Sequence, residues 1–295
     1  KKFHVGMDEP WELGQGWSKN QVEEKGKDKV YLSHLEGIRK LVESHGKEMQ
    51  FWADVLLENP ENAKLLPPSA SPIIWGYEPN HPFPEQAHII SSCDLSYCLA
   101  PGTGTWRSFS GRWSNTRSNI DAAITNAKKY SADGILLTSW GDCGNHQPWA
   151  TLYPPLLYGA AQSWNNQPID DTALAAGMDW HLFNGALNTT PSDSLIKLGK
   201  LDQLLQSNIE NNSLCWFILF ASQPEKTFQH LKDKHSISQL ENGLNYLASI
   251  EKSISAYNHQ SRNCLVGLEI ALGVQLSTIA LQKGISLITE NPWSP

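Results

Sequence analysis

Five times within the first 165 residues, a short β-rich apolar run is followed by a polar loop carrying Gly, Pro or Trp and then by an amphipathic helical stretch. The apolar runs are Phe3–Met7, Met49–Ala53, Pro72–Tyr77, Leu95–Ala100 and Gly134–Ser139. The helical stretches fall near Lys29–Ser44, Pro60–Leu66, Pro84–Ser92, Ser118–Tyr130 and Leu152–Trp164. Strict alternation of this kind predicts parallel strands joined by right-handed helical crossovers, hence an α/β fold. Five units fall short of the eight that close a (β/α)8 barrel of the TIM type. The chain also opens within a strand, so the expectation is a barrel portion carrying strands 4–8 only. An N-terminal segment or a second copy of the chain would then complete the barrel. The 295-residue chain alone is expected to be poorly active or to aggregate through its open strand edges.

Beyond about residue 185 the pattern becomes all-helical, giving expected domains of 1–185 and 186–295. Pro191 with Ser192 and Asp193 starts a helix, and three apolar stripes follow. They run through Leu195, Leu198, Leu201, Leu205 and Ile209; through Ile237, Leu240, Leu244, Leu247, Ile250 and Ile254; and through Leu265, Leu268, Leu272, Gln275 and Ile279. Each is expected to be a core face, and no chemistry is assigned to the region.

Composition narrows the partners. Thirty acids against 23 bases leave a net charge of −7 with no basic tract, which argues against nucleic acid. No uninterrupted apolar run reaches the ~18 residues of a membrane span. The five cysteines, at 93, 98, 143, 215 and 264, form no C-x-x-C pair, which favours a reduced compartment and slightly favours the cytoplasm. Twelve tryptophans, ten of them at or before Trp180, hint at carbohydrate, because an indole is a flat apolar floor for a sugar ring.

The sharpest local signal is His4-Val5-Gly6-Met7-Asp8-Glu9, an apolar strand ending in two adjacent carboxylates. Parallel sheets place their chemistry where strands give way to loops. Two acids held close repel, so one tends to keep its proton and can act as a general acid. The motif resembles the His-x-Gly-Gly-Asp-Glu motif of glycoside hydrolase family 20, the β-N-acetylhexosaminidases, with Met7 where most members have the second Gly. Later strand ends are similar to that family in order. These are Gln50-Phe51-Trp52-Ala53-Asp54, Ile73-Ile74-Trp75-Gly76-Tyr77, the Tyr97–Trp106 run with Gly111-Arg112, and Thr138-Ser139-Trp140-Gly141-Asp142. The resemblance covers roughly residues 3 to 165.

The resemblance implies an exo-acting hydrolase removing terminal β-linked N-acetylglucosamine or N-acetylgalactosamine, in which the substrate's own acetamido oxygen is the nucleophile. Asp8 would orient the acetamide and Glu9 would be the acid and base. Trp52, Trp75 and Trp140 would wall the sugar, Asp142 would take ring hydroxyls, Tyr97 would polarise the acetamide oxygen, and Trp106 would floor the subsite or pack its loop. No cofactor and no metal are expected. His4 reads as structural, and His146 as a brace or a substrate contact. Gly102-Thr103-Gly104 lacks the remaining residues of a phosphate loop. Two other readings stay open: a metal-dependent barrel hydrolase using His4, Asp8, Glu9, Asp142 and His146, and a non-catalytic sugar-binding remnant.

Overall fold

A computed structural model describes residues 1–165, 167–183, 191–220, 222–260 and 265–290. The expected boundary at residue 185 and Cys264 lie outside the described residues. The protein is α/β. By internal contacts it forms two compact units, one of residues 1–76, 80–101 and 121–136, the other of 77–79, 102–120 and 137–295.

The first unit holds a five-stranded sheet in sequential order. Its strands are β1 (Lys2–His4), β2 (Glu48–Trp52), β3 (Ala70–Trp75), β4 (Cys98–Ala100) and β5 (Gly134–Ile135), and every adjacent pair is parallel. Central strands of a parallel sheet are covered on both faces and read as continuous apolar runs rather than alternating ones. In β3, accordingly, every residue from Ala70 to Ile74 is buried. Between strands lie α1 (Lys19–Lys25), α2 (Lys27–Ser44), the short α3 (Asp54–Glu58) and α4 (Phe83–Ser91). Helix α2 turns Tyr31, Leu35 and Val42 inward, positions spaced by four and seven residues that share one helical face. Gly46 at φ 66° ends the turn that follows it. The unit's core joins these residues to Met49, Phe51, Ile74, Phe83, Ile90 and Leu99.

Helix α5 (Trp113–Lys129) starts five residues before its expected Ser118. Its opening turns are polar because their side chains hold neighbouring loops. Asn115 Nδ2 donates to the Tyr77 carbonyl at 2.7 Å, Thr116 Oγ1 to the Thr103 carbonyl at 2.8 Å, and Asn119 Nδ2 to the Glu78 carbonyl at 3.0 Å.

The second unit is helical: α6 (Tyr153–Trp164), α7 (Asp171–Leu182), α8 (Pro191–Gly199), α9 (Leu201–Leu204), α10 (Leu214–Phe220), α11 (Pro224–Lys234), α12 (Ile237–Gln260) and α13 (Leu265–Glu290). The first two Leu/Ile stripes run into its core through Leu195, Leu198, Leu201, Leu205, Leu240, Leu247, Ile250 and Ile254. The third stripe is a correction. Leu265, Leu268, Leu272 and Ile279 are 47–63% exposed, and the face of α13 that packs is Gly267, Ile270, Gly273, Val274, Ser277, Ala280, Leu281 and Gly284. A side chain at Gly273 would put its Cβ 2.5 Å from the Phe109 carbonyl oxygen, so the helix sits too close for anything larger. Counting apolar residues selects the Leu stripe, whereas close backbone approach selects the small residues. Helix α13 is also the one described helix long and apolar enough to cross a membrane by length and composition, a test that a helix buried in a folded core also meets.

Candidate active site

The ladder of the sheet continues into the loops at the carboxyl ends of the strands. Val5 N–H donates to Gln50 O at 2.9 Å, Trp52 N–H to Gly6 O at 2.9 Å, Ala53 N–H to Ile73 O at 2.9 Å, and Gly76 N–H to Ala100 O at 3.2 Å. These bonds bring Asp8, Glu9, Trp52, Asp54 and Trp75 to the tips of three neighbouring strands.

The β1 tip turns sharply. Gly6 has φ 77°, Met7 φ 81° and Glu9 φ 44°. Positive φ suits glycine, and a side chain there stores strain of about 1–3 kcal/mol. Met7 therefore sits in a backbone shape that favours Gly, where the resembling motif has its second Gly. Tyr31 on α2 steadies the turn by donating its hydroxyl to the Met7 carbonyl at 3.1 Å. Burial, followed by the charges of Asp54 and Asp8, pushes that phenol well above its usual range. Asp8 and Glu9 are exposed and line a cleft of about 860 Å³ together with Met7, Lys29, His34 and Leu41. Neither Trp52 nor Trp75 lines that cleft.

His4 acts structurally. Its Nδ1 accepts the Gly6 N–H at 3.1 Å, and its ring lies 4.5 Å from Trp52. Burial pulls its pKa below the usual histidine value, against an opposing pull from Asp8. The neutral ring then carries its proton on the buried Nε2. Trp52 is 8% exposed and packs against this imidazole, so most of its surface serves the interior.

Asp54, the first residue of α3, ends the Gln50–Asp54 run and joins two strand tips. Its Oδ2 accepts the Glu9 N–H at 2.9 Å and its Oδ1 the Trp75 Nε1–H at 3.3 Å. The signal that marks it is the same one that marks Asp8: an acid within a few residues of a strand's carboxyl end.

Tyr97 is a correction. Strand β4 begins at Cys98, so Tyr97 stands at the amino end of the strand, opposite the tips that carry Asp8 and Trp75. It is 2% exposed, and its hydroxyl donates to the Tyr130 carbonyl at 2.8 Å. Burial pushes its pKa up to about 12.

In the second unit, Tyr77, Trp106 and Trp140 form an aromatic group. The Trp140 indole N–H donates to the Tyr77 hydroxyl at 2.9 Å, and the Tyr77 and Trp106 rings meet edge-on at 5.0 Å. Trp106 is only 2% exposed and packs its loop instead of offering a ring face to a sugar. Gly102 makes room for it, since a Cβ there would lie 2.5 Å from the indole. Tyr77, two residues beyond the end of β3, is a second tip residue without an assigned role at the sequence level. Arg112, 5% exposed, holds its neighbour Glu78 through two 2.8 Å bonds. Asp142 is exposed, in a turn with Cys143 at φ 59°, Gly144 at φ 116° and Asn145 at φ 57°. His146 stacks on Phe220 at 4.7 Å and accepts the Trp216 indole N–H at 3.3 Å.

Among the described residues no group of three or more His, Cys, Asp or Glu side chains is placed to hold a metal ion. Cys93, Cys98, Cys143 and Cys215 are free thiols. No protein-family model matches the chain, and no curated protein matches it.

Proposed function

We propose that the protein is an exo-acting β-N-acetylhexosaminidase related to glycoside hydrolase family 20, working by substrate-assisted retaining catalysis. Strands β1–β5 are then strands 4–8 of a (β/α)8 barrel, completed by a further segment or by a second copy of the chain. The observation that carries this reading is the gathering of Asp8, Glu9, Asp54 and Trp75 at the carboxyl ends of three adjacent parallel strands, linked through the Asp54 carboxylate.

In the first step the substrate's acetamido oxygen attacks C1. The glycosidic C1–O bond breaks, and Glu9 delivers its proton to the departing oxygen. Asp8 accepts the acetamide N–H, aligning the nucleophile and balancing the positive charge that spreads over the oxazolinium ring. The nucleophile is tethered to the sugar, so proximity supplies much of the acceleration. In the second step the Glu9 carboxylate takes a proton from water as that water attacks C1, which reopens the acetamide and leaves the anomeric configuration unchanged. Trp75, its indole N–H held by Asp54, enters this reading through the resemblance as an apolar wall. Trp140 and Asp142 enter this reading through the resemblance, as a second wall and as a partner for ring hydroxyls.

The test is a panel of aryl β-glycosides with and without the 2-acetamido group. Hydrolysis confined to the acetamido members, and cut about 1,000-fold by Glu9→Gln for those with basic leaving groups, is the expected result. Brisk turnover of plain β-glucosides would refute the mechanism.

A further inference from the structure

We infer that Asp54 is a positioning residue that sets the reach of the Glu9 acid and the orientation of the Trp75 indole together. The inference rests on the glycosidase reading above. Asp54 lies two residues past the end of β2, the strand between those that carry Glu9 and Trp75. One carboxylate oxygen takes the Glu9 backbone N–H and the other takes the Trp75 indole N–H, at 2.9 and 3.3 Å. A single side chain therefore spans the tips of β1 and β3 across β2.

Both partners are donors, so the position calls for a group that accepts at both ends. A carboxylate does this. An amide accepts at one end only and turns an NH2 toward the other donor. The demand is sharpest at Glu9, whose backbone is left-handed at φ 44° in a loop where Gly6 and Met7 also have positive φ. The sheet ladder reaches this strand as far as Val5 N–H and Gly6 O, and beyond it the Asp54 carboxylate holds the Glu9 amide. Releasing it lets the acid's Cα shift, and a displacement of about 1 Å at a reacting group lowers rates about 100-fold.

A positioning role for a general acid leaves a signature that general loosening does not. Loss of proton delivery slows substrates with basic leaving groups and spares those whose leaving group departs unaided. In Asp54→Asn, kcat/KM for the phenyl 2-acetamido-2-deoxy-β-glucoside should fall about 100-fold, while the 2,4-dinitrophenyl glycoside should lose less than about 5-fold. An equal fall for both substrates, or none for either, overturns the inference. In 15N-indole-labelled protein, Asp54→Asn should move one indole N–H resonance, the one that Trp75→Phe deletes. An unmoved resonance overturns the proposed hold on Trp75. Absence of wild-type turnover on both glycosides, measured with the barrel completed, would instead overturn the glycosidase reading, and the indole spectrum would still decide whether Asp54 orients Trp75.

Discussion

The sheet of the first unit and the helical core of the second are packed by opposite rules. Between the sheet and its helices, large side chains such as Met49, Phe51, Phe83 and Ile90 fill the space. Around α13 the closest approaches depend on side chains that are missing. A Cβ on Gly243 would fall 2.8 Å from Leu281, and one on Gly273 would fall 2.5 Å from a backbone carbonyl. Strain follows a different map. The β1 tip places two non-glycine residues, Met7 and Glu9, at positive φ beside exposed carboxylates, and a few specific hydrogen bonds hold it there. On the proposed reading, side chains at the strand tips should therefore change with small effects on stability and large effects on turnover, and the reverse should hold for the packed face of α13.

The sharpest way to break this contrast is Glu9→Gln. Turnover of 2-acetamido glycosides with basic leaving groups should fall about 1,000-fold, with the thermal midpoint within a few degrees of wild type. A large loss of stability would show that the tip is structural after all. Next in size is Gly273→Val, which forces a side chain against the Phe109 carbonyl and should cost about 3 kcal/mol in urea unfolding. An unchanged midpoint would mean that α13 is not closely seated.

A pH-dependent effect of similar size is expected at Asp202. Burial pushes its carboxyl up to about 6, against some relief from the Arg112 charge. The folded chain then holds this proton to higher pH than the unfolded chain does. The group's contribution to stability is complete below about pH 3.8, the ordinary value, and is lost as pH rises through about 6. Relative to wild type, Asp202→Asn should gain about 3 kcal/mol between pH 3.5 and pH 7.5. A flat difference across that range would contradict the buried placement. The smallest effect is reserved for the exposed stripe. Leu272→Ser should change stability by about 0.5 kcal/mol or less, whereas Leu198→Ala, fully buried, should cost about 3 kcal/mol.

Much of the fold was legible because its period is repetitive. All five strands occur in the expected order, each overlapping its expected run, since an apolar run between polar loops constrains a strand wherever it packs. The failures have specific causes. The opening turns of α5 look like a loop because Asn115, Thr116 and Asn119 are polar, and their loop-binding use is invisible without the loops. The packed face of α13 is hidden from a hydrophobic count because leucines outweigh glycines there, although it is the glycines that let backbones meet. At the candidate site, the placement of Asp8 and Glu9 at a strand tip could be read from their position after an apolar run. Tyr97 could not, because its role comes from the resemblance alone: the run Leu95–Ala100 and β4 both end at Ala100, and with β4 starting at Cys98, Tyr97 precedes the strand at its amino end.

By itself, then, the order of residues determined the alternation of strand and helix, the parallel sheet that this implies, and the places along the chain where acids and indoles follow strands. These depend on local spacing, and spacing survives without a partner. Only the tertiary structure decided that Asp54 joins Glu9 to Trp75, that Met7 occupies a left-handed turn, and that Trp106 is buried. Those outcomes depend on which groups from distant segments arrive within about 3 Å of one another, the reach over which a hydrogen bond or a steric contact acts.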